Sequence, residues 1–448
     1  MVQLWDICNK SLSICEKKVD QAEVFVINAR MINLYVGGGT RDIITDNRWI
    51  GIGIKTVIDK HVGYVSGIFK DYDEVEKMVD LGVKISRRPP KDEKFESLPE
   101  PKKVTGHVDR VYDRNIEELE PQEIKRYAEG IFISSEKDGV KVMSGLIRFN
   151  IFEFHIMNSL GVDFHHKGTN IFVHFTAKKR MGEGIIKKYA TMIEDIDWEK
   201  AGIELYEKTI EASSTKPFKG MLNIETIIEP MELAGMLTAI LGATNGENIN
   251  KKRSPWIGKI GEKVASESLS IIDDGRMSGG LRSALADDEG VPTTRKQIIE
   301  KGILRAYYYD YYNSRIANTE PTGNGFRRGI RTQENTHRHP ASTAVSNIEI
   351  LPGKKTLDEI IEDTEKGIII RKVAAPYVDF ITGNFALEIR NATLIENGKK
   401  AQPIKHALLI GNIYEAIRNI EQIAKQQEKI GIITLPAIKF KNLQIVGL

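Results

Sequence analysis

The first residues alternate in helical rhythm. Residues 3–19, around "LWDICNKSLSICEKKV", place Cys8 and Cys15 seven positions apart, two turns along one helix face. The rhythm then shortens. "AEVFVINARMINLYVGGG" reads as strand, turn, strand, and "WIGIGIKTVIDKHVGYVSGI" as a hairpin turning near "DKHVG". A helix is predicted over 73–86. Residues 87–106, "RRPPKDEKFESLPEPKKVTG", are rich in Pro and mixed charge and poor in apolar residues, which marks a linker. A second unit opens with a helix over 121–136, where Pro121 suits a first turn. Two strand runs follow, "GVKVMSGLIRFNIFEFHIMNS" and "VDFHHKGTNIFVHFTAKK", the latter expected to turn at Lys167-Gly168. A long helix over 183–212 is expected to close this unit. The third unit opens with a helix over 230–245 and becomes strand-rich. "RKQIIEKGILRAYYYDYY" is a hairpin turning at "EKG", and "NATLIENGKKAQPIKHALLIG" one turning at Asn397-Gly398. Thr356 and Glu359 form a capping box before "LDEIIE". Residues 414–430 read as an amphipathic helix before the last strands. The pattern predicts an α+β chain: small N-terminal α/β units with mostly antiparallel sheet (1–90 and 106–215), and a rolled, barrel-like antiparallel unit with helices over 220–448.

Composition narrows the function classes. Of 448 residues, 64 are Lys or Arg and 62 Asp or Glu, a net charge of +2. That balance supplies no global field for nucleic acid or a membrane surface, and the basic cluster "KKRSP" (251–255) reads as a solvated helix end. The two cysteines offer neither a disulfide framework nor a CxxC zinc pair and are expected in the core. The N-terminus lacks the apolar block of a signal peptide, and the longest uncharged apolar helix, 233–244, is too short to span a bilayer. The expectation is a cytoplasmic protein.

The candidate chemistry is thin when each motif is taken alone. "ADDEGVPTTR" lines up Asp287, Asp288 and Glu289 before a Gly-Pro break; adjacent strand residues point to opposite faces, so a metal site would need a bend, and Asp-capped turns are the simpler reading. "IIDDG", at Asp273-Asp274, invites the same reading. His337 and His339 in "NTHRHP" would share a strand face, a zinc-compatible spacing without a visible third ligand. His165, His166 and His174 read as ordinary surface or core histidines. "PTGNG", with Thr322, Gly323 and Asn324, could bring backbone N–H groups near a ligand, or be only a tight loop. "VGGGTRD" (36–42) has no helix N-terminus behind it to hold a phosphate, and no phosphate loop, GxGxxG or GxSxG motif occurs. The tyrosines of "AYYYDYY" are expected in hairpin packing.

Taken together, the strings are more specific. "IGEKVAS", "DDG", "DDEG.PT.R", "IE.GIL" and "PTGNG" follow one another, with family-like spacing, over 258–325. With "AEVFVINAR…GIGIKTVIDKHVGYVS" and "DFITGNFAL…LIENGKKAQPIKHALLIGN", they make nearly the whole chain resemble the TldD/PmbA family, the modulator-of-gyrase and metalloprotease group. The TldD branch carries an HExxxH zinc motif on the helix before this block and a cysteine ligand near the C-terminus. In the matching helix here, "PMELAGMLTAILGATNGEN", Ala239 stands at the first histidine, Ile240 at the general-base glutamate and Thr244 at the second histidine, and "GIITLPAIKFKNLQIVGL" has no cysteine. The residues themselves agree: Leu233, Met236, Leu237, Ile240, Leu241 and Thr244 form one buried helical stripe without a metal donor set.

The resemblance therefore implies the PmbA branch, also called TldE: a non-catalytic chain holding no cofactor of its own. It would pair with a TldD-like zinc subunit around a cavity where unfolded peptides are cut, with Asp287, Asp288, Glu289, Thr322, Gly323 and Asn324 as candidate peptide or cavity contacts. Two other readings stay open. One is a homodimeric peptide- or regulator-binding protein without protease activity. The other is a stand-alone metallopeptidase built on His337 and His339.

Overall fold

The computed structural model describes residues 3–37, 42–327 and 336–447. Six strands form the first sheet: β1 (Gln21–Gly37), β2 (Ile43–Ile58), β3 (His61–Ile68), β4 (Lys141–Asn158), β5 (Asp163–Lys179) and β6 (Gly182–Ala190). Their order is β3-β2-β1-β4-β5-β6, every pair antiparallel. The stretches 1–90 and 106–215 are thus joined edge to edge through β1 and β4. Helices α1 (Leu4–Glu16) and α2 (Tyr72–Ser86) cover one end of one face. The short α3 (Arg114–Glu117) leads to α4 (Ile124–Ser135) and α5 (Trp198–Ser213), which cover the other end. Alternation assigns the faces: Val24, Val26, Ile32 and Leu34 of β1 point to the helices, while Phe25, Ile27 and Ala29 point away, toward Ala284 and Ala286 of the second half.

Four sequence expectations fail here, each for a definable reason. β1 is one strand, not two: the polar break at Arg30 is absorbed because its guanidinium forks Asp46 of β2 (3.0 and 2.9 Å) and donates to the Glu117 and Leu119 carbonyls (3.1 Å each). No turn occurs at Lys167-Gly168. β5 runs straight through, with Gly168 lying under the Phe152 ring, where a Cβ would come within 2.5 Å of Cζ. His165 pairs with His155 of β4 across the strands. The helix expected over 183–212 is β6 followed by α5, which starts afresh at an Asp197 N-cap accepting from the Lys200 N–H at 3.0 Å. The glycine-rich turn at 36–42 falls largely outside the described residues. Residues 87–106 form no regular element, yet they strap the sheet: Leu98 and Phe95 are buried against Val57, and the Leu98 N–H donates to Gln21 Oε1 at 2.8 Å.

The second sheet contains β7 (Lys216–Pro217), β8 (Met221–Ile228), β9 (Ile271–Asp274), β10 (Arg295–Glu300), β11 (Ile303–Leu304), β14 (Ile348–Ile350), β15 (Lys366–Val373), β16 (Asn384–Glu396), β17 (Lys399–Lys405), β18 (Ala407–Asn412), β19 (Ile420–Ile430) and β20 (Ile433–Gly447). A separate ribbon pairs β12 (Gly325–Phe326) with β13 (Ser342–Thr343). Within the large sheet, β20, β8, β15, β16 and β18 close on themselves as a five-stranded barrel. It is mixed, because β8 and β15 run parallel. Helix α6 (Pro230–Thr244) follows β8 and packs on β15, β19 and β20. The short helices α7 (Gly246–Asn250) and α8 (Tyr311–Ile316), which touch one another, complete the set used below. The helix expected over 414–430 is corrected: only Ile413–Ala416 is α-helical, and β19 follows. The helix-like spacing of Ile420, Ile423 and Ala424 fits a strand because the β19–β20 register slips twice, after Ile420 and after Ile423.

Candidate functional site

Helix α6 is buried nearly all round; of 230–244, only Thr238 is exposed. Ala239 and Ile240 are 1% and 0% exposed and carry no donor atoms. Thr244 is fully buried, and its hydroxyl bonds back into the helix at the Ile240 and Leu241 carbonyls (3.1 Å each). The loop before β16 closes over the helix, with Pro376 against Gly235 and Phe380 against Gly242. Tyr308 bonds the Leu241 carbonyl at 2.8 Å and Tyr414 the Phe380 carbonyl. The three positions therefore present packing surface and no nitrogen, sulfur or carboxylate oxygen for an ion.

The acidic motifs meet elsewhere, at the seam between the two halves. Asp273 of β9 accepts from the Ser346 N–H (2.8 Å) and hydroxyl, from Lys296 Nζ (3.1 Å) and from Asn324 Nδ2 (2.7 Å). Asp274 caps the next turn through the Arg276 N–H at 2.8 Å. Asp287 accepts three backbone N–H groups: Glu289 (2.9 Å) and Val291 (3.0 Å) on Oδ1, and Gly325 (2.8 Å) on Oδ2. Asp288 accepts the Arg327 N–H at 2.9 Å, and its own N–H donates to the Gly325 carbonyl at 2.9 Å. A Cβ at Gly325 would come within 2.2 Å of Glu289 Oε2, so a larger residue there would displace the Glu289 carboxylate. Thr322 accepts the Tyr309 N–H (2.7 Å) and donates to Asn324 Oδ1 (2.7 Å); Asn324 also bonds the Ala344 carbonyl at 2.9 Å, and Gly323 is buried beside Pro292. "DDG", "DDEG" and "PTGNG" thus form one laced unit, and most of its acids serve backbone N–H groups, the Asp-turn chemistry the sequence suggested.

Glu289 differs. Its Oε2 accepts the Tyr311 N–H at 2.9 Å, its Oε1 lies 3.9 Å from Lys55 Nζ, and both residues line a pocket of about 390 Å³. Lys55 sits opposite Glu23 across β1 and β2 and stands 3.5 Å from its Oε2. Glu23 Oε1 takes Arg327 Nη2 at 2.7 Å. Arg327 is 1% exposed and lies over the Phe25 ring, 4.2 Å from its centroid; its Nη1 donates to Tyr64 Oη (2.7 Å) and the His339 carbonyl (2.8 Å). Sequence reading missed Glu23, Lys55, Tyr64, Asp310 and Arg327. The available signal was charge set inside otherwise apolar strand runs, "AEVFV" and "GIGIKTV".

His337 and His339 do not share a strand. His337 lies within a 3-10 turn (Thr336–Arg338) and His339 directly after it, and each contributes its carbonyl, accepting from Tyr64 Oη at 2.6 and 3.2 Å. The His337 ring is buried against Gly51, and neither ring nitrogen has a hydrogen-bond partner among the described residues. Burial, then the charges of Arg338 and Arg327, push its pKa down to about 4. Among the described residues no group of three or more His, Cys, Asp or Glu side chains is arranged to hold a metal ion. Among the described residues no helix is long and apolar enough to cross a membrane.

Burial pushes Glu289 well above the usual carboxylate range, with Asp310 adding to the rise and Lys55 opposing it; Asp310 is raised as well, by burial first. The sign follows. Between the unfolded value near 4 and the higher folded one, the folded chain holds more protons than the unfolded chain, so stability falls as pH rises through that window. Urea midpoints should decline from about pH 4.5 toward neutrality, and Glu289→Gln should flatten the decline. A wild-type midpoint rising over that range would contradict the assignment.

An antiparallel sheet joined to a closed mixed barrel, with a buried apolar helix following β8, defines a specific protein class. The chain belongs to the TldD/PmbA metallopeptidase family: residues 223–447 match the model for the PmbA/TldA metallopeptidase C-terminal domain. It is 31% identical over 224 residues to the "Metalloprotease TldD homolog" of Haemophilus influenzae, but that match covers only 47% of this chain and 44% of that protein. Its similarity to the "Metalloprotease PmbA homolog" of Buchnera aphidicola is lower at 25% but runs over 95% of this chain and 93% of that one. The crystal structure of TldE from Thermococcus kodakarensis superposes with a TM-score of 0.89 at 27% identity, covering 98% and 99% of the two chains.

Proposed function

We propose that this chain is a non-catalytic, PmbA/TldE-like subunit of a cytoplasmic metalloprotease complex acting on unfolded peptides. A TldD-like partner supplies zinc, general base and hydrolysis; this chain supplies cavity wall and peptide contacts. The observation that carries the reading is α6. Ala239 and Ile240 cannot bind or activate anything at the positions where zinc chemistry needs a nitrogen ligand and a carboxylate base, and the Thr244 hydroxyl is spent within the helix. The full-length likeness to a TldE structure and a PmbA homolog supports the same branch. The laced acidic motifs fit a wall: they fix a rigid seam and leave Glu289 facing a pocket.

The test is reconstitution. The chain alone, incubated with unfolded casein, should release no peptides and hold no stoichiometric zinc. Adding an HExxxH-bearing paralogue from the same host should start cleavage, and changing that paralogue's glutamate to glutamine should abolish it. Cleavage by the lone chain, lost together with bound zinc in His337→Ala or His339→Ala, would overturn the proposal in favour of a self-contained peptidase. A stable homodimer that binds peptide and ignores every paralogue would favour the stand-alone binding protein.

A further inference from the structure

The pocket at the seam has a chemical character of its own. At about 390 Å³ it holds one or two amino-acid residues, and it is lined by β2, the strap containing Phe95, the start of α8 and the β13 segment. Its floor is Lys55, Glu289 and Asp310, all drawn out of bulk water; Glu289 and Asp310 are 3% and 4% exposed. Asp310 caps α8 through the Asn313 N–H at 2.8 Å. The acid Oε1 of Glu289 accepts no hydrogen bond among the described residues. An ammonium placed there could donate to it directly.

Charge decides which end of a ligand fits. Lys55 is already flanked by two carboxylates, Glu23 and Glu289, and Arg327 is committed to Glu23, Tyr64 and the His339 carbonyl. The charged residues lining the pocket are Asp92, Glu247, Glu289 and Asp310 against Lys55, Lys94 and Lys251, one acid in excess, and of these Glu289 and Asp310 are buried while Lys55 is partly buried. At the mouth, Lys251 is paired with Glu247, and Asp92 accepts from Tyr312 Oη at 2.8 Å. An anionic ligand would have to displace Glu23 or Glu289 from Lys55. A cationic one completes the floor.

We propose that this pocket binds a primary ammonium group carried on a peptide, held between Glu289 and Asp310, with Phe95 and Tyr312 beside its first residue. This goes beyond the subunit reading, because it needs neither zinc nor a partner. It can therefore fail while that reading stands.

The experiment is calorimetric titration of the purified full chain at neutral pH with three probes. These are Ala-Ala-Ala amide, its N-acetylated form, and N-acetyl-lysine amide. The free amine tripeptide should bind, and acetylation should weaken it at least about tenfold, the loss of one charge-assisted hydrogen bond. Glu289→Gln and Asp310→Asn should each weaken it by about the same factor. Asn still caps a helix and Gln still accepts the Tyr311 N–H, so both variants should keep the wild-type circular dichroism spectrum. N-acetyl-lysine amide binding as well as the free tripeptide would assign the ammonium to a lysine side chain; its failure would assign it to a peptide amino terminus. Equal binding of the acetylated tripeptide would overturn the proposal, as would no detectable binding of either amine. Unchanged affinity in both folded variants would do the same.

Discussion

Arg327→Ala should lower stability by about 3–5 kcal/mol, the range for stripping one partner from a buried ion pair. The guanidinium joins the halves of the chain: it reaches Glu23 on β1, Tyr64 on β3 and the His339 carbonyl, and it stacks on Phe25. Removing it leaves Glu23, 1% exposed, with the more distant Lys55 at 3.5 Å as its remaining cation among the described residues, and it opens a cavity over the Phe25 ring. Arg327→Lys should recover part of the loss, because one ammonium keeps the charge but cannot fork toward all three partners. Urea denaturation read by tryptophan fluorescence would show the effect, since Trp49 packs partly buried against the same apolar cluster as Phe25. A two-half chain need not unfold in one step, so the sharper expectation is an early transition reporting the first sheet leaving the barrel. A midpoint within experimental error of wild type would show that the seam is held by its apolar contacts alone.

Much of the fold was legible because local chemistry and tertiary demand agreed. The hairpin at Asn397-Gly398, the capping box of Thr356 and Glu359 and the apolar helix 230–244 each contain their own instructions, and each is present. The errors share another cause. Arg30 and Gly168 look like breaks only until Asp46 and Phe152, distant in sequence, are brought beside them. Residues 420–430 have helical spacing, but β20 offered an edge, and two register slips fitted the pattern to a strand. The site divided in the same way. Donor-poor α6 could be read residue by residue, and the turn chemistry of "DDEG" was a local inference that held for Asp287. The pocket could not be read, because it is made by residues as far apart as Lys55, Phe95, Glu289 and Asp310, and no spacing rule links them.

Asp287→Ala should be the second most damaging change, costing on the order of 4 kcal/mol. Its side chain is fully buried and organises the turn by accepting N–H groups from Glu289, Val291 and Gly325. Each buried donor left without an acceptor costs about 1–3 kcal/mol, and water entering the vacated volume would recover part of the sum. Burial raises the Asp287 carboxyl above its usual range against the pull of those three donors, so part of the native interaction is already offset by desolvation. Asp287→Asn separates the two terms. Its Oδ1 can keep the Glu289 and Val291 donors without a charge to bury, but its amide then faces the Gly325 N–H, donor against donor. The asparagine variant should therefore lose about half of what alanine loses. Hydrogen exchange supplies the local test: the amides of residues 289, 291 and 325 should all exchange faster in Asp287→Ala, and chiefly that of 325 in Asp287→Asn. If alanine left all three protected at the wild-type level, the turn would be held by its backbone alone, and Glu289 would owe its position to something other than Asp287.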